Sequence, residues 1–202
     1  DIGEYVKQHP VPFGEYVPFR SLARRVTPLV NEVAVDMLPG HGVGLLKLPS
    51  KRLGRTVGIG DVICFEVGWD KLVRESVEAG AEVLVVQTNN ASFGHSDESA
   101  QQLQMVRLRA IETGRSAIQA STTGVSAVVS PTGVVSGTTR LWTAANIVAS
   151  LPLRQGLTPA VRYGLEIKLV VCAFGAGLAL IGFGGALRNR RPRRPRRAGR
   201  AT

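Results

Sequence analysis

The sequence predicts an α/β domain followed by one helix that crosses a membrane. Short apolar runs rich in β-branched residues indicate buried strands, and they alternate with helix-like segments, which is the pattern of a layered α/β domain. The membrane helix is predicted by residues 169–187, which contain no charged side chain. That length is about what a helix needs to cross a hydrocarbon core of roughly 30 Å.

The first part of the chain is predicted to be mostly loop. Residues 4–7 are expected to be extended, and two prolines and a glycine then force a loop that keeps Lys7 and Glu15 close together in sequence. Helix-like residues follow at 21–30. The glycine-rich residues 39–44 are a poor candidate for regular structure.

The middle of the chain is predicted to alternate strand and helix. A strand at residues 55–67 is followed by a helix at 70–79 and by a short strand at 82–87, whose apolar β-branched residues indicate burial on both faces. A polar loop at 88–95 then leads into a long helix at 98–113.

A meander of short strands is predicted next. Residues 116–119 and 125–129 are expected to pair as a hairpin around a Thr-Thr-Gly turn, and the turn at 131–133 leads into another strand at Val134. Residues 147–151 are a further candidate strand.

The positive charge is concentrated at one end of the chain. The formal net charge is +10, from 25 lysines and arginines against 15 acids. Eight arginines lie in residues 188–202 with no acid among them, so the other 187 residues carry 17 basic against 15 acidic groups, or +2. This distribution argues against nucleic acid as a partner and indicates a topological anchor beside anionic lipid.

These features predict three regions and a topology. Residues 1–164 are expected to form the folded domain, residues 165–187 the membrane helix and residues 188–202 a cytoplasmic tail, because positive flanks of a span face the cytoplasm. The domain then lies outside the cytoplasm. The alternative is that the apolar segment is a buried core helix.

The chain starts without a methionine inside an expected strand, so we expect it to be the C-terminal part of a longer protein.

Cys64 is the candidate nucleophile. It lies in an apolar run that is followed by an acid and a glycine, and a short buried strand that ends in a sharp turn lifts the side chain at its tip toward a cleft. The alternative is a small buried hydrophobic residue. The other cysteine, Cys172, falls in the apolar C-terminal segment, so no disulfide framework is predicted.

Five short motifs occur in order along the chain. They are residues 5–16 (YVKQHPVPFGEY), 63–66 (ICFE), 89–94 (NNASFG), 104–112 (QMVRLRAIE) and 123–128 (TGVSAV). In this order they resemble the apolipoprotein N-acyltransferases, bacterial membrane enzymes of the nitrilase superfamily. The resemblance runs through nearly the whole chain, and five ordered motifs are much more specific than any one of them.

The resemblance implies an α-β-β-α sandwich with a Glu-Lys-Cys catalytic triad, held outside the bacterial inner membrane. Lys7 matches the triad lysine and Cys64 the nucleophile, and Glu15 and Glu66 match further active-site acids of the family. In the family, the triad glutamate and a membrane domain of several helices precede the lysine. We therefore expect residues 1–202 alone to have no appreciable activity.

The activity that the resemblance implies is acyl transfer without a cofactor. A fatty acyl group would pass from a membrane glycerophospholipid to the thiol as a thioester, and then to the α-amine of the diacylglyceryl-cysteine that begins an apolipoprotein. Lys7 would stabilise the oxyanion of the tetrahedral intermediate. The alternatives are a nitrilase-type amidohydrolase of small amides and an inactive fragment.

Each polar candidate also has a structural interpretation. Without the motif, the sequence favours a solvated surface position for Lys7. Glu15 and Glu66 are also compatible with structural roles, Glu66 by accepting backbone N–H bonds at the turn. His9 and His95 are expected to be hydrogen-bonding loop residues. No cluster of histidines, cysteines and acids has the spacing of metal ligands, so no metal is predicted.

Three positions depart from the family pattern. Pro10 stands where a leucine is expected, Phe65 where a tyrosine is expected and Ser92 where an aromatic residue is expected. Pro10 is expected to bend the lysine loop, and Ser92 removes bulk from a loop near the expected lipid entrance.

Overall fold

The computed structural model describes residues 3–189 of the chain. The helices are α1 (Arg20–Ala23), α2 (Asp70–Glu78), α3 (Glu98–Thr113) and α4 (Pro159–Asn189), and 3-10 turns span Pro28–Glu32, Cys64–Gly68 and Ala91–Phe93. The strands are β1 (Leu45–Ser50), β2 (Arg55–Ile63), β3 (Val83–Thr88), β4 (Ser116–Ser121), β5 (Ala127–Val129) and β6 (Val135–Thr138).

The six strands form one mixed sheet in sequence order. β2, β3 and β4 pair in parallel at its centre, where Val62 lies opposite Val86 and Val86 opposite Gln119, and α2 and α3 connect them. The outer strands β1, β5 and β6 pair antiparallel with their sequence neighbours through short connections. Because parallel strands end at the same edge of a sheet, the loops that follow β2 and β3, which carry Cys64 and Asn89, leave the sheet together.

The hydrophobic core lies between the sheet and the two helices α2 and α3. Its buried residues from the sheet include Val62, Leu84, Val86, Ala117 and Val129, and those from the helices include Leu72, Val73, Val77, Leu103, Val106 and Ala110. Both helices belong to one core cluster and therefore cover the same side of the sheet. The described residues thus supply one helical layer and one sheet layer of the predicted sandwich.

The predicted α/β class is confirmed, and several elements match closely. α3 has the predicted bounds, 98–113, and α2 begins at the predicted Asp70. β4 and β5 form the predicted hairpin, and β6 follows the predicted turn. Residues 39–44 contain no regular element, as predicted.

Other predicted elements are wrong, each for a local reason. Residues 4–7 form no strand, and β2 ends at Ile63 because Cys64 leaves the extended conformation. The helix predicted at 21–30 is divided, since Pro28 cannot continue it and begins a separate 3-10 turn. Residues 147–151 are not a strand, and their apolar side chains instead line a cavity against β4 and β5.

The long apolar helix that the sequence predicts at the C-terminal end is confirmed as α4. Its segment Pro159–Gly184 is a candidate membrane span by length and composition, because it contains an 18-residue window with a mean hydropathy of 2.0 and no buried residue. One compact unit of the chain ends at Arg162 and a second begins at Tyr163, where the backbone departs from helical geometry. The predicted domain bounds stay predictions, and the predicted tail lies outside the described residues from position 190 onward.

Candidate active site

Cys64 is the first residue of the 3-10 turn after β2, and it is partly exposed. Its φ is +55°, a left-handed conformation that residues with a side chain rarely adopt. Holding a non-glycine residue there costs on the order of 1–3 kcal/mol, so surrounding contacts must keep the turn in place. The sharp turn at a strand end is the setting that the sequence predicts for a nucleophile.

Glu66 ties the Cys64 turn to the loop that carries Lys7. Glu66 is fully buried, and its two carboxylate oxygens accept four hydrogen bonds. The donors are the backbone N–H groups of Gln8 (2.6 Å), His9 (3.0 Å) and Ile63 (3.0 Å) and the hydroxyl of Tyr5 (3.1 Å). These bonds satisfy the buried carboxylate and join segments 58 residues apart in sequence.

Lys7 is buried and forms an ion pair with Glu15. The Lys7 Nζ atom lies 2.7 Å from Oε1 and 2.6 Å from Oε2 of Glu15, which also accepts the N–H of Val11 at 2.7 Å. The Lys7 carbonyl accepts the N–H of Gly40 at 2.7 Å. A Cβ at Gly40 would lie 2.4 Å from the carbonyl oxygen of Val6, so this close approach of the two backbones requires glycine.

Cys64 and Glu15 line one cavity of about 460 Å³. Its other lining residues are Val11, Gly14, Phe65, Asn89, Ser92, Phe93, Glu98, Gln101, Gln102 and Met105. Lys7 is joined to this cavity through its contact with Glu15. The structure therefore brings two of the predicted site residues, Cys64 and Glu15, to one cavity. Lys7 and Glu66 lie outside its lining, Lys7 paired with Glu15 and Glu66 in the contacts that hold the turn.

Phe65 also lines a second cavity, of about 450 Å³. There it is joined by His9 and Trp69, whose rings stack with centroids 4.3 Å apart and an interplanar angle of 11°. The backbone N–H of His9 donates to Glu66, so His9 is a hydrogen-bonded loop residue as the sequence predicts. His95 packs against Trp142 at 5.8 Å in a different loop.

A buried polar network that sequence reasoning missed supports the wall of the first cavity. The amide nitrogen of Asn90 donates to the side-chain oxygen of Gln102 at 2.7 Å, and its oxygen accepts the Ser121 hydroxyl at 2.7 Å. The Ser121 hydroxyl oxygen in turn accepts the N–H of Gly124 at 2.8 Å. Two of the five motifs, residues 89–94 and 123–128, therefore meet here, and their polar character was the available signal.

Arg109 is another residue whose role the sequence did not indicate. Its guanidinium donates to the carbonyl oxygens of Val67 and Gly68, both at 2.9 Å, at the end of the Cys64 turn. Its position in the motif at residues 104–112 was the only signal. Tyr5, which donates to Glu66, was likewise marked only by lying in the first motif.

Burial raises the pKa values of two titratable groups near the site, Tyr5 and Asp61. It raises the pKa of Tyr5 well above its ordinary value, so the hydroxyl stays protonated and donates to Glu66. Burial also raises the pKa of Asp61, on β2, while Gln87 opposes the shift because its amide donates to both Asp61 oxygens, at 3.1 and 2.9 Å. Among residues 3–189, no group of three or more histidines, cysteines and acids is placed to hold a metal ion.

Comparisons with known proteins place this geometry in a family. The family model of the carbon-nitrogen hydrolases matches residues 1–156. The chain is 37% identical over 175 residues to the apolipoprotein N-acyltransferase of Mycolicibacterium smegmatis and 34% identical over 177 residues to that of Geobacter metallireducens. These alignments cover 87% and 88% of the chain.

The same alignments cover 28% and 32% of the two relatives, so the chain spans about a third of the length of the curated relatives it matches. Among solved structures, an amidase from Nesterenkonia sp. aligns with 55% of the chain and 42% of its own, at 23% identity and a TM-score of 0.44. Because the family model matches more than half of the residues, the chain belongs to the carbon-nitrogen hydrolase family.

Proposed function

We propose that the protein is an N-acyltransferase that moves a fatty acyl group from a membrane glycerophospholipid, through a thioester on Cys64, to the N-terminal diacylglyceryl-cysteine of apolipoproteins. The observation that carries the chemistry is the cavity lined by Cys64 and by Glu15, the ion-pair partner of Lys7. The acyl donor and acceptor are inferred from the relatives named apolipoprotein N-acyltransferase.

The first half-reaction acylates Cys64. A carboxylate base takes the thiol proton, and the sulfur attacks the ester carbonyl carbon of the phospholipid. The tetrahedral intermediate then breaks its C–O bond, and the leaving alkoxide takes a proton to become the lysophospholipid hydroxyl. Lys7 and backbone N–H groups of the turn stabilise the oxyanion. Glu15 orients the Lys7 ammonium through two of its N–H groups, and the third N–H is left for the substrate.

The second half-reaction transfers the acyl group. The acceptor amine attacks the thioester carbonyl, the C–S bond breaks, and the amine proton returns to the sulfur, which regenerates the thiol. A thioester splits one difficult acyl exchange into two easier ones. The apolar side chains that line the cavity, such as Phe65, Phe93 and Met105, suit a fatty acyl chain.

We also propose that the protein resides in the bacterial inner membrane with residues 1–164 on the extracytoplasmic side. The apolar segment Pro159–Gly184 and the arginines that follow it support this orientation. The family description also supports a second candidate, hydrolysis of a carbon–nitrogen bond in a small soluble amide. That activity would consume a short amide with no transfer from phospholipid.

Mass spectrometry of the full-length protein tests the main proposal. After incubation with phospholipid and no acceptor, we expect an added fatty acyl mass that hydroxylamine removes. Cys64→Ala should lack the added mass, whereas the matched control Cys172→Ala, which changes the other cysteine, should retain it. An adduct that persists in Cys64→Ala would overturn the thioester, and amide hydrolysis without any adduct from phospholipid would favour the second candidate.

A further inference from the structure

Arg109 holds the C-terminal end of the turn that begins with Cys64. Its Nε donates to the carbonyl of Val67 and its Nη2 to the carbonyl of Gly68, both at 2.9 Å. The side chain is 12% exposed, and Nη1 pairs with Glu112 one helical turn away. The planar fork of an arginine suits this use, because its N–H groups point to two acceptors in fixed directions.

The helix that carries Arg109 also builds the candidate cavity. On α3, residues three and four apart lie on one face, so Gln102, Met105, Arg109 and Glu112 form one stripe. Gln102 and Met105 line the cavity beside Cys64, and Arg109 reaches the carbonyls one turn further along. One rigid helix therefore sets the position of both the cavity wall and the nucleophile turn.

The turn is held from both sides by charged side chains. Glu66 accepts the N–H of Ile63 where the turn begins, and Arg109 donates to its last two carbonyls. Between these contacts, Cys64 keeps its unfavourable positive φ. If the arginine fork is lost, only one side of the turn stays anchored, and relaxation toward negative φ would move the sulfur.

We infer that Arg109 is a positioning residue, which fixes the Cys64 thiol for attack by holding the carbonyls of Val67 and Gly68. The inference rests on the proposed function for the reaction that it serves. Because misplacing a reacting group by about 1 Å can slow a step by roughly 100-fold, the effect should fall on the chemical step and leave lipid binding unchanged.

The test compares Arg109→Gln and Arg109→Lys with the same two changes at Arg107 in the full-length protein. Arg107 lies on the same helix and makes matched contacts, donating to the carbonyl of Gly133 at 2.9 Å and to Gln104 at 2.6 Å, but neither partner belongs to the Cys64 turn. In single turnovers without acceptor, Arg109→Gln should form acyl-enzyme about 100-fold more slowly than the unchanged protein. The phospholipid concentration that gives half of the maximal rate should stay within about twofold of that of the unchanged protein. Arg109→Lys, which keeps the positive charge but lacks the planar fork, should recover part of the rate. Both Arg107 variants should stay within about twofold of the unchanged protein.

A second measurement does not depend on acyl transfer. Backbone hydrogen exchange at residues 64–69 should accelerate in Arg109→Gln and not in Arg107→Gln, because only the former releases the turn. Equal hydrogen exchange at residues 64–69 in Arg109→Gln and Arg107→Gln would overturn the inference. So would an equal loss of acylation rate in these two variants when they have lost the same thermal stability. If the unchanged protein forms no acyl-enzyme, the proposed function fails, and hydrogen exchange still decides whether Arg109 holds the turn.

Glu112→Gln separates the two contacts of Arg109. This change removes the ion pair and leaves the guanidinium fork free to bind both carbonyls. We expect acylation within about threefold of the unchanged protein, because glutamine keeps an acceptor oxygen for Nη1 and both carbonyl contacts of Arg109 remain. A loss as large as that in Arg109→Gln would show that the ion pair, and not the carbonyl contacts, is what matters, and would overturn the inference.

Discussion

The ammonium of Lys7 lies within 2.7 Å of both carboxylate oxygens of Glu15, and the Lys7 side chain is 6% exposed against 27% for Glu15. A buried ammonium needs this partner, because removing one member of such a pair leaves an uncompensated charge in a region of low dielectric. Glu15 therefore supports the site as the charge partner of Lys7, without needing to contact a substrate.

Glu15→Gln should slow acyl-enzyme formation by about 100-fold, because Lys7 loses the carboxylate that orients it. It should also lower the free energy of unfolding by about 1–3 kcal/mol, less than for a fully buried pair since Glu15 is partly solvated. Single-turnover mass spectrometry and thermal melting measure the two effects. The double variant Lys7→Met with Glu15→Gln is the control, and it should regain stability but no activity. An unchanged acylation rate in Glu15→Gln would contradict this role.

Glu66→Gln should disrupt the site from outside the cavity. Glutamine offers one acceptor oxygen, and its NH₂ group would face N–H donors of Gln8, His9 or Ile63 that now lack a partner. We expect a drop of several degrees in Tm and at least a tenfold loss of acylation, whereas Glu78→Gln, at an exposed position on α2, should change neither. The expectation fails if Glu66→Gln melts at the temperature of Glu78→Gln.

Two buried acids should give opposite pH dependences of stability. The raised pKa of Asp61 means that its carboxyl group binds a proton more tightly in the folded state than in the unfolded state. Asp61 therefore lowers the free energy of unfolding as the pH rises above 3.8, the ordinary pKa of the group. The Arg55 guanidinium donates to the two carboxylate oxygens of Glu82 at 2.6 Å and 2.7 Å and lowers the pKa of Glu82 below its ordinary value of 4.5. The stability that Glu82 contributes is therefore present above pH 4.5 and is lost as the pH falls through the lowered pKa.

Melting curves between pH 3 and pH 7 check these signs, with that range set around the ordinary carboxyl pKa of roughly 4. Relative to the unchanged protein, Asp61→Asn should gain stability with rising pH, and Glu82→Gln should lose stability with rising pH. The same sign of pH dependence in both variants would show that burial does not dominate at Asp61.

The proposed topology predicts where probes react. A cysteine introduced at the exposed Asp97 should be labelled from outside intact cells by a reagent too polar to cross the membrane, and one introduced at Thr202 should be labelled only after the cells are opened. The physical reason is that arginines resist translocation across the membrane. Labelling at residue 202 from outside would contradict the topology.

Elements with a strong local pattern could be predicted from the sequence. α3 has the bounds that the sequence predicts, with the polar loop at 88–95 before it. In the structure it is followed by Gly114, which adopts the left-handed conformation that ends helices. The β4–β5 hairpin was marked by its turn residues in the same way. Cys64 is a candidate from its apolar run and the acid and glycine that follow, and Lys7 and Glu15 are candidates from the motifs that contain them. Their catalytic roles stay predictions.

What could not be predicted depends on contacts between distant segments. The apolar residues 147–151 looked like a strand, but tertiary packing places them over β4 and β5 without ladder bonds. β1 was missed because Lys47 and Pro49 interrupt its apolar pattern. The bond from the Ile63 N–H to Glu66 matches the structural alternative that the sequence offers for Glu66. The other partner segment of Glu66, at Gln8, lies 58 residues away, and no local pattern reveals it. The same holds for Arg109 and its partner Val67, which are 42 residues apart.

The contacts of Glu66 also bear on the order in which the chain folds. Tyr5 and Gln8 reach the Cys64 turn by closing a loop of about 60 residues. The entropic cost of that closure is smaller once the intervening β1–β2 hairpin has formed, because the hairpin shortens the flexible part of the loop. We therefore expect thiol reactivity in the site to appear late in refolding, after the parallel strands and α2 have formed. A newly made chain would then expose no competent nucleophile until its sheet is complete.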